Sequence, residues 1–371
     1  MPDKPRLISR RSLLRTAFGG GGALLAASLV GCDDGDATPT PTATRPAPAT
    51  PPPRPSPTPK PLGWKLVTPL AGPLPPTRRD HSLVTDGATL YVFGGRNDSG
   101  DLADLWTFNS FNVEWTKVQA SPGPSPRHGH NAIWDVFIQR LIVFGGQQGS
   151  TFLNDLWEFD PSSNQWVQLA NNGSGPTPRY GAAAAQTFGP VNPPGRLLVT
   201  HGFTNAGRFD DTWGFNLLDH TWEDISPQGP RPVERCLMRG VWDFRSNFFM
   251  FGGQTTGTPF LGDLWALGPD GWRQIVTEPS PPPRTFYSFV SEIQAGRAIL
   301  FGGNTQDGAA NDLWYFDFAT DTWERQTVGE GPSPRQGHDA VWLGDSRTMV
   351  VFGGNDGADD LNDLWQLSVP L

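Results

Sequence analysis

Cysteine is almost missing from this chain: Cys32 and Cys236 are the only two in 371 residues. Two cysteines exclude a multi-bridge disulfide framework, and no Cys-pair metal motif stands out. Charge is sparse as well, at 18% of residues, and its balance is a net −9. An acidic chain lacks the electrostatic footprint of a nucleic-acid binder. No Ser-His-Asp order and no phosphate-cradling loop stands out. The residues therefore offer no complete catalytic constellation and imply no cofactor.

What is abundant points elsewhere. With 44 Gly, 38 Pro and 15 Trp, the chain favours short strands and many turns over long helices. Residues 1–31 read as an address. Arg10-Arg11 precedes an apolar stretch, 17–30, that is too short and glycine-rich to span a bilayer. The segment resembles a twin-arginine export signal, and Leu29-Val30-Gly31-Cys32 resembles a lipobox, whose cysteine is acylated and becomes the mature N-terminus. Removing 1–31 takes away five basic residues and Asp3, which leaves −13 from the starting −9. Acylation of Cys32 would also leave Cys236 with no intramolecular partner. Residues 32–62 follow, with eleven prolines and six threonines beyond Cys32 and almost nothing apolar. Such a composition cannot bury a core and favours an extended polyproline stalk.

From 63 to 371 one unit recurs six times at about fifty residues: Pro-x-x-Arg, an apolar strand, a second apolar strand ending in Gly-Gly, Asp-x-Trp, and a further Trp. The glycine pairs are Gly94-Gly95, Gly145-Gly146, Gly252-Gly253, Gly302-Gly303 and Gly353-Gly354, with His201-Gly202 filling the remaining place. The Asp-x-Trp elements begin at Asp104, Asp155, Asp211, Asp263, Asp312 and Asp363. This register resembles the kelch repeat, in which each unit forms a four-stranded blade, and implies an all-β, six-bladed propeller similar to the central domain of galactose oxidase. Outer-strand tryptophans occur at Trp115, Trp166, Trp222, Trp272 and Trp323, and the sixth unit ends without one. Trp64 supplies it, so the N-terminal strand is expected to complete the last blade and leave the ring without open edges.

Candidate chemistry follows the repeat. Arg78, Arg127, Arg179, Arg235, Arg284 and Arg335 equal the repeat aspartates in number, which suggests structural pairing, because a half-buried guanidinium needs acceptors. A ring of arginines facing an anionic ligand is the alternative. Three residues after arginine come His81, His130 and His338, in units that are neighbours around a closed ring. They could converge on zinc or copper, or serve as repeat packing. The galactose oxidase pattern Arg-x-Tyr-His is not kept, since no tyrosine stands two after any repeat arginine; Tyr180 and Cys236 sit one after it instead.

Loops after Gly-Gly and residues beside the arginines gather at one mouth in kelch propellers. The resemblance places Arg79, Arg96, Asn97, His128, Gln147, Tyr180, Asn205, Gln254, Asn304, Gln336 and Asn355 there. An amide-rich rim of mixed charge suits hydrogen bonding to a protein or glycan. A longer connection in unit three, 188–195, is expected on the opposite face. The reading is a monomeric binding or scaffold module, exported and held outside the cytoplasmic membrane by lipid on Cys32. A carbohydrate enzyme, mutarotase-like or metal-dependent, is the second reading.

Overall fold

A computed structural model describes residues 62–169, 175–188 and 195–370; residues 1–61, on which the expected export leader, Cys32 and all but Leu62 of the Pro/Thr-rich segment fall, lie outside the described residues. The propeller occupies the second of two compact units, residues 57–371. Its apolar runs are strands because they are buried on both faces. Leu141, Ile142, Val143 and Phe144, in the strand Arg140–Gln148, are each at most 1% exposed, sandwiched between neighbouring sheets.

Six four-stranded antiparallel sheets result, numbered here as blades 1 to 6. Their inner strands are Ser82–Thr85, Asn131–Asp135, Ala183–Thr187, Arg239–Trp242, Ser288–Glu292 and Asp339–Leu343. Blade 1 then runs outward through Thr89–Phe93, Leu105–Asn109 and Glu114–Val118, and blades 2 to 5 repeat that order. Blade 6 draws its outer strand from the other end of the chain. Gly63–Val67 pairs antiparallel with Asp360–Ser368, with Trp64 opposite Leu367 and Leu66 opposite Trp365. No α-helix occurs among the described residues, which hold one 3-10 turn at Ile293–Ala295.

Six hydrophobic clusters hold the blades together, one between each adjacent pair, including blade 6 with blade 1. Each outer-strand indole packs on an aromatic ring of the preceding blade. Trp115 lies 5.0 Å from Phe352, Trp166 5.2 Å from Phe93, Trp222 5.1 Å from Phe144 and Trp323 5.4 Å from Phe251. Trp64 does the same with Phe301 at 4.9 Å, so the strand from the N-terminal side makes the same contact as these four counterparts. Blade 3 has Thr200 where the others have phenylalanine, and there Trp272 meets the His201 ring at 6.0 Å.

The glycine pairs mark the upper end of each blade. Gly94 adopts φ +61°, and a Cβ there would lie 2.8 Å from the Arg127 carbonyl and 3.0 Å from His130 Cε1. Both conformation and room demand glycine. His201 takes this place in blade 3 at φ +61°, with Nδ1 2.7 Å from Thr200 Oγ1. Burial brings its imidazole down to about 3.

Candidate functional site at the upper mouth

The repeat arginines build the frame of the mouth. Arg78 Nη1 donates to the Gly94 carbonyl and to Asp104 Oδ1, both at 2.9 Å, and Nη2 donates to Asp104 Oδ2 at 3.0 Å. Trp106 Nε1 donates to the same Asp104 Oδ2 at 2.7 Å. The fork recurs as Arg127 with Asp155, Arg179 with Asp211, Arg235 with Asp263, Arg284 with Asp312 and Arg335 with Asp363. Burial works against ionisation of these aspartates, but the guanidinium and indole donors outweigh it and hold all six below the usual carboxylate range. Every arginine of the set is at most 1% exposed, so its charge is consumed inside the blade rather than offered to a ligand.

Two residues beyond each arginine the chain turns through left-handed backbone. Asp80, Gly129, Gly181, Leu237, Phe286 and Gly337 have φ between +55° and +64°. Their amides and carbonyls form a closed ring. Asp80 N–H donates to Gly337 O, Gly129 to Asp80, Gly181 to Gly129, Leu237 to Gly181, Phe286 to Leu237 and Gly337 to Phe286, at 2.7 to 3.1 Å. Six backbone hydrogen bonds thus tie all six blades around the axis. Three members are not glycine, and left-handed backbone is uncommon outside Gly, Asn and Asp, rarest for bulky residues. The ring bonds and the blades behind them hold Leu237 and Phe286 in it.

Outside this ring lies the rim. The residue after each arginine bridges antiparallel to the residue after each glycine pair: Arg79 to Arg96, His128 to Gln147, Tyr180 to Phe203, Cys236 to Gln254, Thr285 to Asn304 and Gln336 to Asn355. Nine of the eleven rim residues expected from sequence meet in these bridges. Asn97 and Asn205 do not: Asn97 donates through Nδ2 to Thr77 O at 2.9 Å, and Asn205 stands exposed at the tip of its hairpin. Phe203 takes the blade 3 place, because His201-Gly202 puts it directly after the turn. Cys236, Thr285 and the non-glycine ring members were not foreseen as part of the mouth.

A cavity of about 360 Å³ opens between blades 1, 5 and 6, lined by Arg79, Asp80, Arg96, Asp98, Phe286 and Gln336 among others. Both arginines of its lining have carboxylate neighbours, and a buried imidazole with its own carboxylate partner stands next to it on the rim. Arg79 is bound to Asp360, Arg96 Nε lies 3.5 Å from Asp80 Oδ2, and His128 Nδ1 lies 2.7 Å from Asp101 Oδ1. Burial raises the Asp80 carboxyl above its ordinary value, against the pull of Arg96, His128, Arg79 and Arg239. Burial likewise pushes up the Tyr180 phenol beside it. Arg239, from the inner strand of blade 4, carries its charge into the channel beneath the ring, where Nη2 lies 3.9 Å from Asp339 Oδ1.

The amides of the rim are mostly occupied. Gln147 Nε2 donates to Gly149 O at 2.7 Å, Asn355 Nδ2 to Asp360 Oδ1 at 2.9 Å, and Gln254 Nε2 lies 3.7 Å from Cys236 Sγ. Asn304 and Gln336 make no side-chain hydrogen bond within the described residues. What the mouth offers outward is therefore charge, aromatic surface and the amides of Asn205, Asn304 and Gln336.

His81, His130 and His338 are not brought together. Each is buried at a separate blade boundary, edge-on to a phenylalanine of the preceding blade: Phe352 at 5.4 Å, Phe93 at 5.3 Å and Phe301 at 5.4 Å. His130 Nε2 meets Ser82 Oγ at 2.9 Å, and His338 Nε2 meets Ser288 Oγ at 3.0 Å. Burial holds all three imidazoles well below their usual range and hence neutral. Among the described residues no group of three or more His, Cys, Asp or Glu side chains is placed to hold a metal. Of the unit-three connection, Phe188 lies at the lower end of the channel, opposite the mouth, and residues 189–194 lie outside the described residues.

Six blades, six arginine-aspartate forks and a backbone ring define the class: a closed β-propeller built from one repeated unit. The chain belongs to the kelch-repeat family. The family profile described as the KLHDC2/KLHL20/DRC7 Kelch-repeats domain matches residues 59–242 and 229–370. Similar proteins include the leucine-zipper-like transcriptional regulator 1 homolog of Drosophila melanogaster, 28% identical over 299 residues, covering 75% of this chain and 29% of that protein. Adagio-like protein 3 of Oryza sativa subsp. japonica is 31% identical over 331 residues, covering 82% and 50%. Host cell factor of Drosophila melanogaster is 28% identical over 273 residues, covering 66% and 17%. The chain spans half or less of the length of these relatives.

Proposed function

We propose that this chain is a protein-binding scaffold whose upper mouth holds a segment of a partner, and that lipid on Cys32 tethers it outside the cytoplasmic membrane. The observation that carries the first part is the rim itself. Six bridged residue pairs are fixed by one backbone ring, and two of them, Arg79 with Arg96 and Gln336 with Asn355, line a 360 Å³ basin at whose wall Arg79 is bound to Asp360 and Arg96 stands beside Asp80. Neighbouring charges of both signs favour a partner that brings both signs, as a peptide does, because each incoming group meets an opposite one already held in place. A glycan would draw on amides and hydroxyls, and four of the seven rim amides, Asn97, Gln147, Gln254 and Asn355, already make contacts within the protein.

The test is affinity capture from envelope extract with the mature protein and an Arg79→Ala/Arg96→Ala variant, run beside a glycan array. A protein partner lost at least tenfold in the variant supports the reading. A glycan ligand, or a partner indifferent to both arginines, overturns it.

The tether rests on sequence: Arg10-Arg11, the 17–30 apolar stretch and Leu29-Val30-Gly31-Cys32. Metabolic labelling with a radioactive fatty acid should mark the wild type and not Cys32→Ser, which should leave the membrane fraction. Equal labelling of both proteins would remove the tether from the account.

A further inference from the structure

The lower end of the channel is unlike the mouth. Seven residues after each repeat arginine, alternate blades place Trp134, Trp242 and Trp342, and the blades between them place Thr85, Gln186 and Ser291. These six surround the lower part of a cavity of about 310 Å³ whose lining contains no ionisable side chain. That volume is about twice the roughly 150 Å³ that accommodates benzene. We propose that this cavity is a second binding site, distinct from the upper mouth, for a neutral aromatic alcohol.

Neutrality follows from the lining. A charged ligand would shed its hydration with no counter-charge to meet, which is costly in an apolar site. The ring follows from three indoles at one level of the channel, since aromatic rings pair favourably offset or edge-on. The hydroxyl follows from what the polar groups have left. Thr85 Oγ1 donates to Thr89 O at 2.9 Å, Gln186 Nε2 to Asp135 Oδ1 at 3.2 Å, and Ser291 Oγ to Trp242 O at 2.7 Å. The Thr85 and Ser291 donors are spent and Gln186 keeps one N–H, while Gln186 Oε1 and the Ser291 Oγ lone pairs can still accept. The buried indole N–H groups of Trp134 and Trp242 have no protein partner, whereas Trp342 Nε1 donates to Gln294 Oε1 at 2.8 Å. A hydroxyl both donates and accepts, so it answers the open acceptors and can accept from the remaining Gln186 N–H. A monosaccharide brings about five hydroxyls, and three polar residues in an apolar wall would leave most of them unpaired.

The test is titration calorimetry of the full chain with p-cresol, toluene, benzoate and methyl glucoside, each alone. Saturable p-cresol binding, at least fivefold tighter than toluene and absent for benzoate and the glucoside, is the expected result. Ala184→Leu, which narrows the cavity, should weaken p-cresol at least tenfold with an unchanged melting temperature. Arg79→Ala/Arg96→Ala should leave it unaffected, which separates this site from the mouth. The proposal is overturned by no saturable p-cresol binding, by equal affinity for toluene, by preference for benzoate or the glucoside, or by indifference to Ala184→Leu. If Ala184→Leu lowers the melting temperature, Ser291→Ala replaces it, with at least a threefold loss expected and no loss counting against the site.

Discussion

Four imidazoles are held neutral inside this protein, and acid should expose the consequence. His81, His130 and His338 sit well below the ordinary histidine range because burial disfavours the cation, and burial brings His201 down to about 3. Their folded-state values are depressed, so the unfolded chain binds more protons than the fold once the pH drops below about 6.5, and stability falls with it. At pH 5.5 each unfolded imidazole holds about 0.9 proton, and the four together would cost about 5–6 kcal/mol relative to neutral pH. Asp80 and Asp339 act in the opposite sense. Burial raises both, so the fold takes up their protons before the unfolded chain does. They offset at most about two of the protons, which leaves an uptake on unfolding of between about two and four at pH 5.5. Denaturant titrations at pH 7.5, 6.5 and 5.5, with potentiometric measurement of proton uptake, check this. Constant stability from pH 7.5 to 5.5, or proton release on unfolding, would refute the assignment of these histidines to neutral packing.

Two substitutions probe the frame. Asp155→Ala leaves the Arg127 guanidinium buried without its bidentate partner and removes the acceptor of Trp157 Nε1. A loss of about 3 kcal/mol is expected in chemical denaturation, the lower end for breaking a buried pair, because Asp155 is partly exposed; a loss under about 1 kcal/mol would mean that the forks contribute little. Trp64→Ala removes the indole packed on Phe301 and should cost about 3 kcal/mol, with blade 6 opening first in limited proteolysis. Unchanged stability would contradict closure by the N-terminal strand.

Much of the architecture was legible because it is periodic. The glycine pairs and the Asp-x-Trp elements stand in fixed phase, and a strand pattern repeated six times leaves few alternatives to a closed ring. The missing outer-strand tryptophan after Trp365 pointed to Trp64, whose register opposite Leu367 places it there. The mouth was legible only in part. Rim positions beside the arginines could be counted, but the left-handed ring could not be read from Leu237 and Phe286, which give no hint of positive φ, and Asp80 tolerates it without requiring it. The signal that did exist was glycine at the equivalent places Gly129, Gly181 and Gly337. Nor could the repeat announce Arg239, since the other five units place Ser82, Asn131, Ala183, Ser288 and Asp339 at that position. Of the side-chain amides counted as ligand groups, Gln147 and Asn355 bond within their own hairpins, because a short turn brings a long amide back within reach of it, while Asn97 reaches Thr77 O.

The backbone ring at the mouth underlies both the closure and the rim, and amide hydrogen exchange tests it directly. Breaking one bond of a closed ring requires two blades to part. The amides of residues 80, 129, 181, 237, 286 and 337 should therefore exchange together, as slowly as the central strands. Fast exchange at any one of the six would show an open ring and contradict the account.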